Sequence, residues 1–176
     1  MIKTIALAVI VALGALLIFA AGRPDTFRVQ RTATIKAPPD KLHPLINDMR
    51  LFNTWNPYNL KDPNIQGEYQ GPQAGPGAVY RFAGNKDVGK GSIAIVDTAP
   101  TRVTMKLDMI APFEGHNIVE FTLAPRGDAT DVTWAMHGPS PFMAKLVGLF
   151  MNMDAMIGRD FEAGLANLKS RAERAA

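Results

Sequence analysis

Three histidines, sixteen carboxylates and no cysteine are the side chains from which this 176-residue chain could build a reactive site. His43, His116 and His137 lie far apart, and none shares a helical turn with another histidine or a carboxylate at a ligand spacing, so no metal site is expected. His116 follows the turn at Gly115 and His137 falls on the polar side of an alternating segment, which places both with solvent. Asp48, Glu120, Asp154 and Asp160 are the acid–base candidates. Patterning puts Glu120 on the polar side of its strand, and Asp160 and Glu162 on the polar side of a helix, where solvated charge accounts for them. There is no Gly-x-Ser-x-Gly elbow. The run from Gly84 to Gly91 nearly spells a phosphate loop, but Gly91 stands where Ser or Thr must hold magnesium, and a strand-like segment follows instead of a helix. It is read as a hairpin loop, and no cofactor is expected. The lack of cysteine removes thiol catalysis and disulfides.

The richer inventory is apolar. Among nine methionines, Met105, Met109, Met136, Met153 and Met156 are predicted to point into the space between a sheet and a helix, beside Trp55, Tyr80, Phe82, Phe121 and Trp134 and the helix residues Ile157 and Phe161. Flexible, polarizable Met suits a pocket for an oily ligand, although the same periodicity describes an ordinary packed core. Tyr80 is the one inward group on this face with a proton to exchange.

These side chains need elements to hold them. From Pro141 to Ala172, apolar residues at Leu146, Leu149, Phe150, Met153, Ile157, Phe161, Leu165 and Leu168 follow the spacing of one helical face, and the spacing predicts one long helix without a break. Phe27 to Lys36 alternates as a half-buried strand. Asp40 to Phe52 is helical in pattern but carries Pro44, which predicts two short helices or a kinked one. Short strands are predicted at Gly67–Gln70, Ala78–Ala83, Gly91–Thr98, Arg102–Ile110, Asn117–Ala124 and Asp131–His137, separated by Gly-, Pro- and Asp-containing turns. Val103, Met105, Leu107 and Met109 share a face, as do Val119, Phe121 and Leu123, and Val132, Trp134 and Met136. The result is an α+β layout in which an antiparallel sheet of six or seven strands covers the long helix.

The first 22 residues stand apart. Thr4 to Ala21 carries no charge, and eighteen helical residues reach about 27 Å, close to the roughly 30 Å of a hydrocarbon core. A transmembrane anchor is expected over residues 1–22, then a linker over 23–26 and one domain over 27–176. Ala20-Ala21-Gly22 also fits a signal-peptide cut, but the apolar run exceeds the roughly 7 to 15 residues of such a segment. Lys3 on one side and Arg23, Arg28 and Arg31 on the other do not fix the orientation; an exported, periplasmic domain is the expectation adopted. A net charge of +3 with interspersed signs and no basic block does not imply nucleic acid.

Several motifs carry a family resemblance: Trp55-Asn56-Pro57-Tyr58, Asp62-Pro63 followed by Tyr69 and Gly71, the strand from Gly75 to Tyr80, and above all the ending from Asp154 to Leu165 with Leu168-Lys169. Over Phe27 to Glu173 the chain resembles the START-like or SRPBCC superfamily, in the flavour of the bacterial polyketide cyclase/dehydrase and lipid-transport group. The resemblance implies a helix-grip fold, a curved antiparallel sheet wrapped around a C-terminal helix, with a cavity between them. It implies a hydrophobic small-molecule ligand such as a lipid, quinone or polyketide-like compound. Polyketide cyclization or dehydration and a chaperone-cofactor-like interaction role are the alternatives within the same superfamily. The resemblance identifies no catalytic residue and no protein partner.

Overall fold

The computed structural model describes residues 2–174. In chain order the elements are α1 (Ile2–Ala21), β1 (Thr26–Ile35), α2 (Pro39–Asn47), α3 (Met49–Phe52), α4 (Pro57–Lys61), β2 (Gln66–Gln70), β3 (Val79–Ala83), β4 (Lys90–Ala99), β5 (Arg102–Ala111), β6 (Gly115–Arg126), β7 (Ala129–Pro139), α5 (Phe142–Val147) and α6 (Met153–Arg174). The seven strands form one antiparallel sheet in the order β1-β7-β6-β5-β4-β3-β2, curved around α6 in the helix-grip manner. Register shifts at Lys90/Gly91 and between Ile95 and Asp97 bend β4, as an extra residue in one strand does.

Because every neighbouring pair is antiparallel, the turns sort to two ends of the sheet. Thr26 pairs with Pro139, Met109 with Gly115, and Ala83 with Lys90. The start of β1, the exit of β7 and the β3–β4 and β5–β6 turns therefore share the end beside α1, called the near end below. The β4–β5 and β6–β7 turns lie at the far end.

The expected pair of short helices after β1 is present as α2 and α3, whereas the predicted long C-terminal helix is divided. Pro44 sits inside α2, and the split into two short helices falls at Asp48, whose extended backbone ends α2 while its carboxylate accepts from Arg50 N and Leu51 N to start α3. The predicted Pro141–Ala172 helix is in fact two. α5 stops at Gly148, whose N–H is shared between the Ala144 and Leu146 carbonyls, and α6 begins afresh where Asn152 Oδ1 accepts from Ala155 N at 3.0 Å. α4, which sequence patterning leaves as a polar stretch, is started by Asn56 as N-cap with Pro57 at the first helical position.

The break resets the phase of the helical stripe. α6 buries Gly158, Phe161, Gly164, Leu165, Leu168 and Ala172. Met153 and Met156, predicted to face the sheet, are each 39% exposed, because Met153 opens the new helix and Met156 lies off its buried face.

Two glycines on that face control how close α6 comes to the sheet. At Gly158 a Cβ would collide with the Arg31 guanidinium, which crosses the helix there to pair with Glu162 at 2.7 Å and Asp154 at 3.0 Å. At Gly164 a Cβ would lie 2.5 Å from Trp134 Cζ3 and 2.9 Å from Pro57 Cδ. Overpacking of this kind costs about 1–3 kcal/mol, whereas Gly→Ala within a helix gains up to about 1 kcal/mol from propensity. Gly164→Ala is accordingly expected to lower stability despite its better helix propensity, read as a reduced urea midpoint; an unchanged or raised midpoint would show that Trp134 yields without cost.

Candidate functional site

The candidate site is the concave face of the sheet and the face of α6 set into it. Strand alternation places Tyr80, Ile93, Ile95, Val103, Met105, Val119, Phe121, Leu123, Val132, Trp134 and Met136 inward, all buried. The middle of this space is aromatic. Trp134 stacks on Phe161 of α6 with ring centroids 4.3 Å apart and planes 10° from parallel, and Trp55 meets Trp134 edge-to-face at 5.8 Å. Phe121 lies 4.9 Å from Trp134, and Phe52 bridges Trp55 and Phe121 at 4.9 and 6.0 Å. Such pairs add about 0.5–1.5 kcal/mol each beyond area burial. Trp55, Phe121, Trp134 and Phe161 therefore form one packed aromatic group, with Met105 buried in the same core. Phe52, which completes the cluster, carries only the signal of helical spacing in the sequence.

The near end is different. Phe82, Leu107, Met109 and, from α6, Ile157 are only half-buried, although they continue the same inward rows. Gly91, paired between Phe82 and Met109, contributes no side chain. Asn117, opposite Leu107, shares the parity of Val119 and Phe121 and so brings an amide to this part of the face; the alternation carries that signal. The concave face is thus fully buried at its centre and only half-buried at its near end. Of the residues expected to line one space, Phe82, Met109 and Ile157 are half-buried toward the near end, while Tyr80, Met136, Trp55, Met105, Phe121, Trp134 and Phe161 are buried in the core. Met153 lies outside this enclosure.

Polar groups here are few. The Tyr80 hydroxyl accepts from Asn59 Nδ2 at 3.2 Å, which leaves its own proton free, and burial pushes the phenol above its usual range, so at neutral pH it is a donor and not a base. Trp134 Nε1 is buried without a hydrogen-bond partner among the described residues. A donor left unpaired in this way costs about 1–3 kcal/mol, which an acceptor placed beside it would recover.

The carboxylates are engaged elsewhere. Asp48 caps α3 and accepts from Gln73 Nε2. Glu120 lies on the outer face between Arg28 and His137, at 3.8 and 3.4 Å. Asp154 holds Arg31, which keeps the carboxyl below its ordinary range. Asp160 receives Lys61 Nζ at 2.6 Å and lies beside the Tyr58 hydroxyl. Buried Asp62, which the family-like Asp-Pro element contributes, ties α4 to the β3–β4 turn by accepting from Asn85 N at 2.7 Å. His43 meets Thr98 Oγ1 at 3.0 Å and His116 meets Asp108 at 2.6 Å, both away from the concave face. The Gly84–Gly91 run is the β3–β4 hairpin turn, as expected.

Two concavities lie at the surface. One of about 800 Å³ runs between α2 and the last turns of α6, floored by Leu45, Trp55, Leu60 and Ala172 and rimmed by Lys41, Arg171 and Arg174. The other, about 680 Å³, lies between the start of α2 and the β4–β5 turn around His43 and Thr98. Both are at the far end; of the residues expected to line a pocket only Trp55 lines the first, and none lines the second.

A fold of this kind, with an apolar concave wall and carboxylates spent on caps and ion pairs, fits a hydrophobic-ligand-binding or polyketide cyclase-like role. The family model described as polyketide cyclase/dehydrase and lipid transport matches residues 26–173, and the chain belongs to that family. Comparison with curated protein sequences gives no match. Among solved structures, protein CV1439 of Chromobacterium violaceum is similar at 18% identity and a TM-score of 0.59, over 86% of this chain and 99% of that one. Protein MLL2253 of Mesorhizobium loti is similar at 14% identity and 0.62, over 85% and 99%. Ara h 8.0201 is similar at 11% identity and 0.59, again over 85% and 99%. At these identities the likeness is one of fold.

Tyr58 offers a direct check on the wall. Burial, reinforced by the neighbouring Asp160 carboxylate, raises its phenol well above the ordinary value of 10.0. A phenol whose folded pKa is raised contributes stability that is complete below about pH 10 and lost as the pH climbs beyond it, because the unfolded chain releases the proton first. Tyr58→Phe is expected to flatten the alkaline fall in stability and to remove one late phenolate absorbance step; an identical alkaline profile would mean that Tyr58 is solvated.

Proposed function

We propose that the chain is a membrane-tethered binder of a hydrophobic small molecule, a lipid, quinone or polyketide-like compound, with residues 1–22 as anchor, 23–26 as linker and 27–176 as the binding domain. The observation that supports this reading is that Phe82, Leu107 and Met109 of the sheet and Ile157 of α6 are only half-buried, the least covered part of the apolar concave face. A ligand entering there covers apolar wall at about 25 cal/mol per Å². The unpartnered Trp134 N–H and the free Tyr80 proton supply donors for a ligand oxygen.

The tether fits a ligand of this kind. α1 is long and apolar enough to cross a membrane by length and composition. A binder held beside the bilayer meets a membrane-partitioning ligand at a high effective concentration without any further contact.

Native mass spectrometry of the full chain released from detergent should show a co-purifying apolar compound. Met109→Trp is expected to abolish that adduct while leaving the circular dichroism spectrum and the urea midpoint close to wild type. Repeated preparations without any adduct, or an adduct that Met109→Trp leaves untouched, would remove the binding reading or move the site.

A further inference from the structure

The near end of the sheet carries an uneven share of the molecule's exposed apolar surface. Outside α1, twelve large apolar side chains among the described residues are exposed; two of them lie at the β5–β6 turn and seven between Phe142 and Met156. Phe113 at the turn is 77% exposed, and Phe150, between α5 and α6, is 74% exposed. Met143 and Met151 accompany them. The far-end turns instead expose Pro100-Thr101 and Gly127-Asp128. Isolated exposed apolar residues need no explanation, but a set gathered at one end of a domain marks something that covers it.

We propose that this end of the domain docks into the headgroup layer of the bilayer that α1 enters, with Phe113, Phe142, Met143, Phe150 and Met151 inserted at the boundary with the acyl chains. The proposal rests on the reading of α1 as a retained anchor. Three observations then leave the bilayer as the occupant. First, α1 ends at Ala21 and β1 begins at Thr26, so the four residues between them span at most about 14 Å. With a 20-residue helix of about 30 Å filling the hydrocarbon core, β1 starts at the level of the headgroups. Second, the linker is pinned. Arg23 Nη1 donates to the Gly148 carbonyl at 3.1 Å, Ser140 N donates to the Asp25 carbonyl at 2.7 Å, and the buried Lys145 ammonium pairs with Asp25. The α5–α6 segment is thereby held at the depth of Arg23. Third, α1 packs against α5 and its Ala20 is fully buried, so α5 lies along the last turns of the anchor with Phe142 and Met143 facing outward.

An amphipathic surface seated in this way reaches about 5–10 Å into the interface. It also sets the least covered part of the concave face, at Phe82 and Met109, against the membrane.

The chain has no cysteine, so single labelling sites are available without background. The full chain is reconstituted into phosphatidylcholine/phosphatidylglycerol nanodiscs with and without brominated acyl chains. A bimane label is placed in turn at Phe113→Cys, Phe150→Cys, Asp128→Cys at the far end and Leu17→Cys in α1. Bromolipid is expected to quench the labels at 17, 113 and 150 and to leave the label at 128 unchanged. Quenching at 17 alone would overturn the docking while keeping the anchor. No quenching at 17, or mature protein beginning at Arg23, would overturn the anchor and the docking together.

Discussion

How closely α6 can approach the sheet governs the rest of the fold. A helix gripped by a curved sheet must pass side chains that project from both sides, and two glycines on its buried face give it room: Gly158 accepts the Arg31 guanidinium and Gly164 accepts the edge of Trp134. The consequences run outward from these contacts. Arg31 ties β1 to Asp154 and Glu162, four residues before and after the glycine it crosses, which fixes the helix against sliding. Trp134, seated over Gly164, stacks flat on Phe161 and gathers Trp55, Phe52 and Phe121 around it. The aromatic group on the concave face is therefore a consequence of helix–sheet distance.

Much of this is legible in the residues. Period-two alternation gives the inner faces of β5, β6 and β7 almost position by position, because one side of each strand is buried under the helices, α2 over β5 and β6 and α6 over β7, and the other is wet. The motif-rich ending from Asp154 to Leu165 carries the family, and in the structure it is the stretch that holds both glycines. The break at Gly148 is harder to read. Leu146, Leu149, Phe150 and Met153 continue a helical period on paper, but the sheet does not bury them: Leu146 and Leu149 are half-buried, and Phe150 and Met153 are exposed. Apolar periodicity reports a surface that avoids water without saying what it avoids water with. The same ambiguity misplaces Met153 and Met156, and it arises because the partner of that segment is not the sheet. α4 escapes patterning for a different reason: its Asn56-Pro57 start is a sound capping signal, but five residues are too short for any period to show.

The candidate site illustrates a limit of patterning of another kind. Alternation states which residues face inward and cannot state whether they touch one another or leave a gap. Trp55, Phe121, Trp134 and Phe161 face inward and touch; Phe82, Met109 and Ile157 face inward and stay half-buried. The difference lies in which strands the helices cover: α6 packs mainly on β1 and β7 and α2 on β5 and β6, which leaves the near ends of β3 and β5 less covered.

That geometry bears on how a ligand would be chosen. A pocket that rejects strongly must present polar groups which an ill-matched ligand leaves unpaired, and this wall presents few: the Trp134 indole N–H, the Tyr80 hydroxyl and the Asn117 amide. The remainder is Met, Leu, Phe and Ile, which discriminate by size alone, and an added or missing methylene in such a wall is worth only about 1–3 kcal/mol. A Met-containing wall of this kind adjusts to more than one shape, so on the proposed binding role its selectivity would be modest. Under the proposed tether and docking, position would supply what the wall does not, because a short linker holding this end against a bilayer would restrict the compounds encountered to those already dissolved there.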